Sequence, residues 1–119
     1  MGFSEALQTV VRRAPDARAV LIMGTDGMPV ERVLVSPDPT LDAMAAELTT
    51  LVRSTLGAPA DTGLGALREL TVVSQRMTAV VMSITPDYYL FVALAPGGIV
   101  GRARAAMRLA CLSLESDFA

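Results

Sequence analysis

The sequence predicts an α/β fold of the layered α+β kind: a single five-stranded, mainly antiparallel sheet with helices on both faces. Three observations carry this. Helical and strand-like patterns follow one another in the order αββαβββα. Three consecutive strand-like runs are joined by connections too short for a parallel crossover, which forces antiparallel neighbours. The chain has 119 residues, 52% apolar and 18% charged, enough to build a core without metal or disulfides. With no internal repeat, low-complexity tract or linker, one domain over residues 1–119 is expected.

The apolar positions Phe3, Leu7, Val10 and Val11 recur at helical spacing. They predict a first helix over 3–13, with Ser4 placed to cap it and Ala14-Pro15-Asp16 ending it. The continuous run Ala19–Met23 reads as a strand buried on both faces. Thr25-Asp26-Gly27 then supplies hairpin chemistry, and Val30–Val35, interrupted by Glu31 and Arg32, reads as a second strand nearer an edge. Ser36-Pro37-Asp38-Pro39 is a breaker cluster, after which Thr40 is placed as N-cap and Asp42 favours the positive end of a helix dipole. The second helix is expected over 41–56, its apolar stripe being Leu41, Met44, Ala45, Leu48, Leu51, Val52 and Leu56. Gly57 supplies a left-handed stop and Pro59 forbids resumption, which leaves a loop from Ala58 to about Gly65. Runs over 67–74, 77–84 and 88–95 form the predicted meander, turning at Gln75-Arg76 and Thr85-Pro86-Asp87. Pro96-Gly97-Gly98 breaks the sheet. Ile99, Ala103, Ala106, Met107, Ala110 and Leu114 then mark one face of a closing helix.

Missing residue types exclude whole reaction classes. There is no His and no Lys, since all ten basic residues are Arg. Imidazole bases, Ser-His and Cys-His nucleophile pairs, His-ligated zinc, Schiff bases and phosphate-loop lysines are therefore ruled out. The carboxylates are scattered, with no pair spaced as an acid-base dyad, so a non-enzymatic protein with no catalytic residue, cofactor or metal is expected. The single Cys, Cys111, permits no internal disulfide, and nothing points to an oxidising compartment. A formal net charge of −2 with only three Phe and two Tyr disfavours nucleic acid as a partner. No apolar run approaches the ~18 residues of a membrane span, and residues 1–6 match neither a secretory nor a myristoylation signal. A cytoplasmic location without membrane contact is the expectation.

Gly97-Gly98-Ile99-Val100-Gly101 lies between a strand and a helix, where backbone amides can hold an anion. A dinucleotide fold requires a further strand and an acidic residue after that helix, and no such pattern follows Gly101. A turn with close helix-sheet packing is the expected role. Met23, Met44, Met77, Met82 and Met107 fall on strands or apolar stripes, as core fillers do. Cys111 has Arg104 and Arg108 nearby in sequence, yet a lone helical Cys is expected as a small apolar filler.

The second helix carries the sharper signal. Opposite its apolar stripe lie Asp42, Ala43, Ala46, Glu47, Thr50, Arg53 and Ser54, a face only partly charged and poor in bulky side chains. Small residues let a second helix approach closely, with Glu47 and Arg53 at the rim of the contact. The alternative is an alanine-rich solvent face chosen for helix propensity. The third strand alternates Arg68, Glu69 and Thr71 with Leu70 and Val72 and follows a long loop, so it is expected at a sheet edge. There it can template pairing with another chain, the Arg68 and Glu69 charges pairing about a two-fold axis or repelling strangers.

The element order, the segment Leu21-Ile22-Met23-Gly24-Thr25-Asp26-Gly27-Met28-Pro29-Val30, and Tyr89-Leu90-Phe91-Val92-Ala93-Leu94 before Pro96-Gly97-Gly98 and an Ala/Arg helix resemble the Roadblock family. That family includes dynein light chains and bacterial MglB-type regulators, and the resemblance runs from about Ser4 to Leu114. It implies a homodimer in which third strands pair into one sheet and second helices lie antiparallel. It also implies that this surface binds a Ras-like small GTPase and modulates its GTP hydrolysis, as a GTPase-activating protein does, or its localisation. By position, Glu47, Thr50, Arg53 and Ser54 face the GTPase, and Ala43, Ala46, Arg68, Leu70 and Val72 form the dimer interface. Some MglB-type proteins carry a C-terminal extension that helps engage the GTPase; with five residues following Leu114 here, full activation or exchange activity is not part of what the resemblance implies. A non-regulatory scaffold of the same fold and a small-molecule sensor with a pocket between its layers are the alternatives.

Overall fold

The helical spacing of Phe3, Leu7 and Val10 closes as α1 (Phe3–Arg13). Gly2 is the N-cap, with extended backbone and no side-chain cap, so Ser4 lies inside the first turn and does not cap. The computed structural model describes residues 2–36, 40–56 and 63–118, apart from the side chains of Asp42 and Leu56. The expected roles of Pro37, Asp38, Pro39, Gly57, Pro59 and the first part of the 58–65 loop, and of the Asp42 and Leu56 side chains, lie outside the described residues.

The remaining elements are β1 (Ala17–Gly24), β2 (Pro29–Leu34), α2 (Thr40–Leu56), β3 (Glu69–Val73), β4 (Thr78–Thr85), β5 (Tyr88–Leu94) and α3 (Val100–Asp117). They form one antiparallel sheet in the order β2-β1-β5-β4-β3. The predicted hairpin and meander are both present, joined by the central β1–β5 pair. β1 and β5 are buried along almost their whole length because both faces of the sheet are covered. Side chains alternate between the layers as the two-residue period requires. Val20, Ile22, Val80, Leu90 and Val92 meet α1 and α3, whereas Ala19, Leu21, Val81, Phe91 and Ala93 meet α2. The expected methionine fillers Met23, Met77, Met82 and Met107 are buried, and Met44 is partly so.

The β1–β2 turn uses Gly27 at φ +89°, a conformation costly for residues with a Cβ, and the Met28 amide donates to Asp26 Oδ1 at 3.0 Å. The Thr25 amide donates to the Asp87 carbonyl, which ties this turn to the β4–β5 turn. At the far end of α3, the Phe118 ring stacks on Tyr88 and Phe3 at centroid distances of 4.2 and 4.8 Å. Both ends of the described chain are thereby fastened to one layer.

At the glycine turn before α3 the Ile99 N–H donates to Asp16 Oδ2 at 3.1 Å, and the Gly98 N–H donates to the Ala95 carbonyl. A Cβ at Gly98 would lie 3.0 Å from the Ala95 carbonyl oxygen and from Asp16 Cβ, so Gly98 serves close packing, as expected. Ile99, expected on the buried face of the helix, is 57% exposed because it precedes the first helical turn.

Candidate protein interface

Leu41, Ala45, Leu48 and Val52 of α2 are buried against the sheet. Leu51, placed by periodicity in the same stripe, is 40% exposed. At 100° per residue it sits on the margin of the stripe. Thr49, assigned to neither face by the sequence pattern, is buried. Its hydroxyl bonds to the Ala45 carbonyl at 2.8 Å and to the Tyr89 hydroxyl.

Ala43, Ala46, Glu47, Thr50, Arg53 and Ser54 are not buried, so α2 turns its small-residue face away from the sheet. The Thr50 and Ser54 hydroxyls donate to carbonyls of their own helix, Ala46 at 3.3 Å and Leu51 at 2.8 Å. That leaves them as acceptors toward any outside group. Glu47 and Arg53 form no ion pair with any described residue. The face is divided. Glu47 lies on the flank toward β3, while the helical angle puts Ala46 and Arg53 on the opposite flank, with Ala43, Thr50 and Ser54 along the crest between them.

β3 is a sheet edge, paired only with β4. The Ser83 amide donates to the Arg68 carbonyl and the Ser74 amide to the Met77 carbonyl, both at 2.9 Å. Inward bonding therefore falls on even-numbered residues, which points the backbone groups of Glu69, Thr71 and Val73 to the open edge. Those two outlying bonds also explain why the strand is assigned over 69–73 inside the expected 67–74. Arg68 is exposed, whereas Leu70 and Val72 are half-buried against the α2-side core. Glu69 is committed within its own chain. The Arg104 guanidinium donates to both of its carboxylate oxygens, at 2.7 and 2.8 Å, so this charge is not free to pair about a two-fold axis.

Between α2 and β3 lies a groove of about 260 Å³ lined by Met44, Glu47, Leu51 and Val72 among others. It makes the open strand edge and one flank of the helix a single surface. Periodicity misses Leu51 and Met44 as surface residues because a stripe wider than the sheet contact looks like core in one dimension. A larger recess of about 1060 Å³ wraps the β3 end of the sheet, touching Val81 and Tyr89 on one face and Met82 and Cys111 on the other. Cys111 is buried, and burial, with the Glu115 charge adding to it, pushes its thiol up to about 12. It is the expected filler and no tuned nucleophile. Among the described residues there is no cluster of three or more metal-ligating side chains and no helix long and apolar enough to cross a membrane.

Comparison with known proteins agrees with this architecture. No curated protein matches the chain in sequence. Among solved structures, the Roadblock/LC7 domain from Streptomyces avermitilis superposes with a TM-score of 0.84 at 18% identity, covering 99% of this chain and 98% of that one. MglC from Myxococcus xanthus is 26% identical with a TM-score of 0.75, covering 98% and 99%. An MglB described as having a tetrameric arrangement gives 0.83 at 18% identity, covering 95% and 85%. The Roadblock/LC7 domain model matches residues 4–94, and the chain belongs to the Roadblock/LC7 domain family.

Proposed function

We propose that this protein is a cytoplasmic homodimer that binds a Ras-like small GTPase and modulates its GTP hydrolysis or its localisation. Two copies join by pairing their open β3 edges and packing the Met44, Leu51 and Val72 groove of each against the other. Leu70, Arg68 and Ala43 border the seam, whereas Ala46, expected in it, lies on the flank of α2 away from β3. The observation that carries the reading is the continuity of that apolar groove with an unpaired strand edge, because the edge offers a row of backbone donors and acceptors to a second strand while the groove beside it offers apolar surface to bury. Joined α2 helices then present Thr50, Arg53 and Ser54 twice over on one platform, with Glu47 where the platform meets the seam.

Replacing Leu51 with Arg places a charge in the groove while leaving the buried stripe intact. Light scattering is expected to show the mass of this variant halved relative to the parent. An unchanged mass rejects the seam. Single-turnover GTP hydrolysis by a small GTPase that co-purifies with the protein, measured with and without it, tests the regulatory step.

A scaffold that docks a GTPase without altering turnover is the second reading. It is favoured by one observation: the Thr50 and Ser54 hydroxyls are spent on their own helix and Arg53 is unanchored. A side chain that stabilises transferring phosphoryl charge must be held in place, and such a group is worth about 10³–10⁵ in rate. Arg53 is accordingly assigned to binding, and Arg53→Ala is expected to weaken association without removing any stimulation of hydrolysis in the bound complex.

A further inference from the structure

The two helices that share one face of the sheet meet solvent differently. α1 turns Glu5, Gln8, Arg12 and Arg13 outward, as a solvated helix does. On α3, Met107 and Leu114 are fully buried, and the residues pointing directly away from them are Ala105, Leu109, Leu112 and Ser116. Leu109 is 55% and Leu112 69% exposed. Their spacings of four, three and four are those of a coiled-coil seam, not of a scattered surface. Arg108 and Glu115 flank this seam on one side, one heptad apart, both exposed. Neither forms an ion pair with a described residue, since Arg104 takes Glu69.

We propose that α3 is a second self-association surface, on which a second copy of this chain packs its own α3 in antiparallel orientation. The charge pattern selects this occupant. When Leu109 of one copy lies opposite Leu112 of the other, the flanking positions meet in antiparallel register. Arg108 of each copy then stands beside Glu115 of the other, twice by two-fold symmetry. A parallel arrangement sets Arg108 against Ser113 and loses both pairs. The face is thus complementary to itself in one orientation, with leucines at the centre and opposite charges at the rim. It lies on the opposite side of the sheet from α2 and is independent of the proposed β3 seam. A chain with both surfaces assembles beyond two copies, into a closed four-chain species or an open string.

The test is mass against concentration, read by sedimentation equilibrium from micromolar to millimolar protein. Circular dichroism confirms that each variant is folded. The parent is expected to grow in mass with concentration, and Leu109→Glu with Leu112→Glu abolishes that growth. Arg108→Glu and Glu115→Arg each turn two attractions into repulsions and are expected to weaken the association about tenfold. Both the double swap and an equal mixture of the two single swaps restore it, because a carboxylate again faces a guanidinium at both flanking contacts. Repeating the series on the Leu51→Arg background separates the two surfaces, since the α3 contact alone leaves a two-chain species there. A parent whose mass matches the leucine variant at every concentration, or swaps that are not rescued, overturns the proposal.

Discussion

The Tyr89 hydroxyl of β5 donates its proton to Thr49 Oγ1 of α2. The direction follows from proton counting: the one Thr49 proton is given to the Ala45 carbonyl at 2.8 Å, so the remaining proton on the pair must come from Tyr89. Both side chains are buried, at 3% exposure each. The bond is a polar pin through an apolar layer, and it fixes the rotation of α2 and hence which residues its outer face presents.

That geometry makes an asymmetric pair of variants. Thr49→Val leaves a buried phenol without an acceptor and is expected to cost about 2 kcal/mol, whereas Tyr89→Phe removes the donor and is expected to cost about 1 kcal/mol. The double variant is expected to fall short of their sum, since no polar group is then stranded. Urea unfolding of the four proteins measures the cycle, and strict additivity would show that the two hydroxyls do not interact.

Buried ionisable groups also set a limit at high pH. The Cys111 thiol is raised from 9.0 to about 12, chiefly by burial and further by the charge on Glu115. The Tyr89 phenol is raised from 10.0, chiefly by burial. Well below pH 9 both groups are neutral whether the chain is folded or not, and neither affects stability. Above it the unfolded chain releases protons that the folded chain retains, so stability falls from about pH 9 toward 12. The steepest contribution is about 1.4 kcal/mol per pH unit for each group. Urea midpoints of the parent and Cys111→Ala between pH 8 and 11 isolate the thiol. The variant starts lower because of its cavity, and its stability should decline more gently with pH. Parallel curves would contradict the burial of the thiol.

The legible part of this molecule is the part written in periodicity. β1 reads as a buried strand because Ala19–Met23 has no polar interruption, and β2 as an edge because Glu31 and Arg32 interrupt it. Both readings match the observed order. What stays hidden depends on distance across the sheet. Asp16 and Ile99 are far apart in sequence, so nothing local announces that one supplies the acceptor for the other. Glu69 reads as free because Arg104 lies on another element. Leu51 reads as buried because a helical wheel gives the angle of a side chain but not where the sheet beneath it ends.

Asp16 offers the most direct check on such a distant contact. Its carboxylate sits at the N-terminus of α3, where it accepts from the Ile99 amide and meets the positive end of the helix dipole. Asp16→Ala removes both and is expected to cost about 1 kcal/mol, while Asp16→Asn keeps an acceptor but loses the charge and is expected to cost less. Gly98→Ala acts on the same turn by sterics: its methyl must displace the Ala95 carbonyl or the buried Leu94 side chain, 3.2 Å away. That loss is expected at about 1–2 kcal/mol and should not be relieved by adding phosphate or sulfate. If either anion instead restored Asp16→Ala to parental stability, the turn would be able to hold a ligand that Asp16 now excludes.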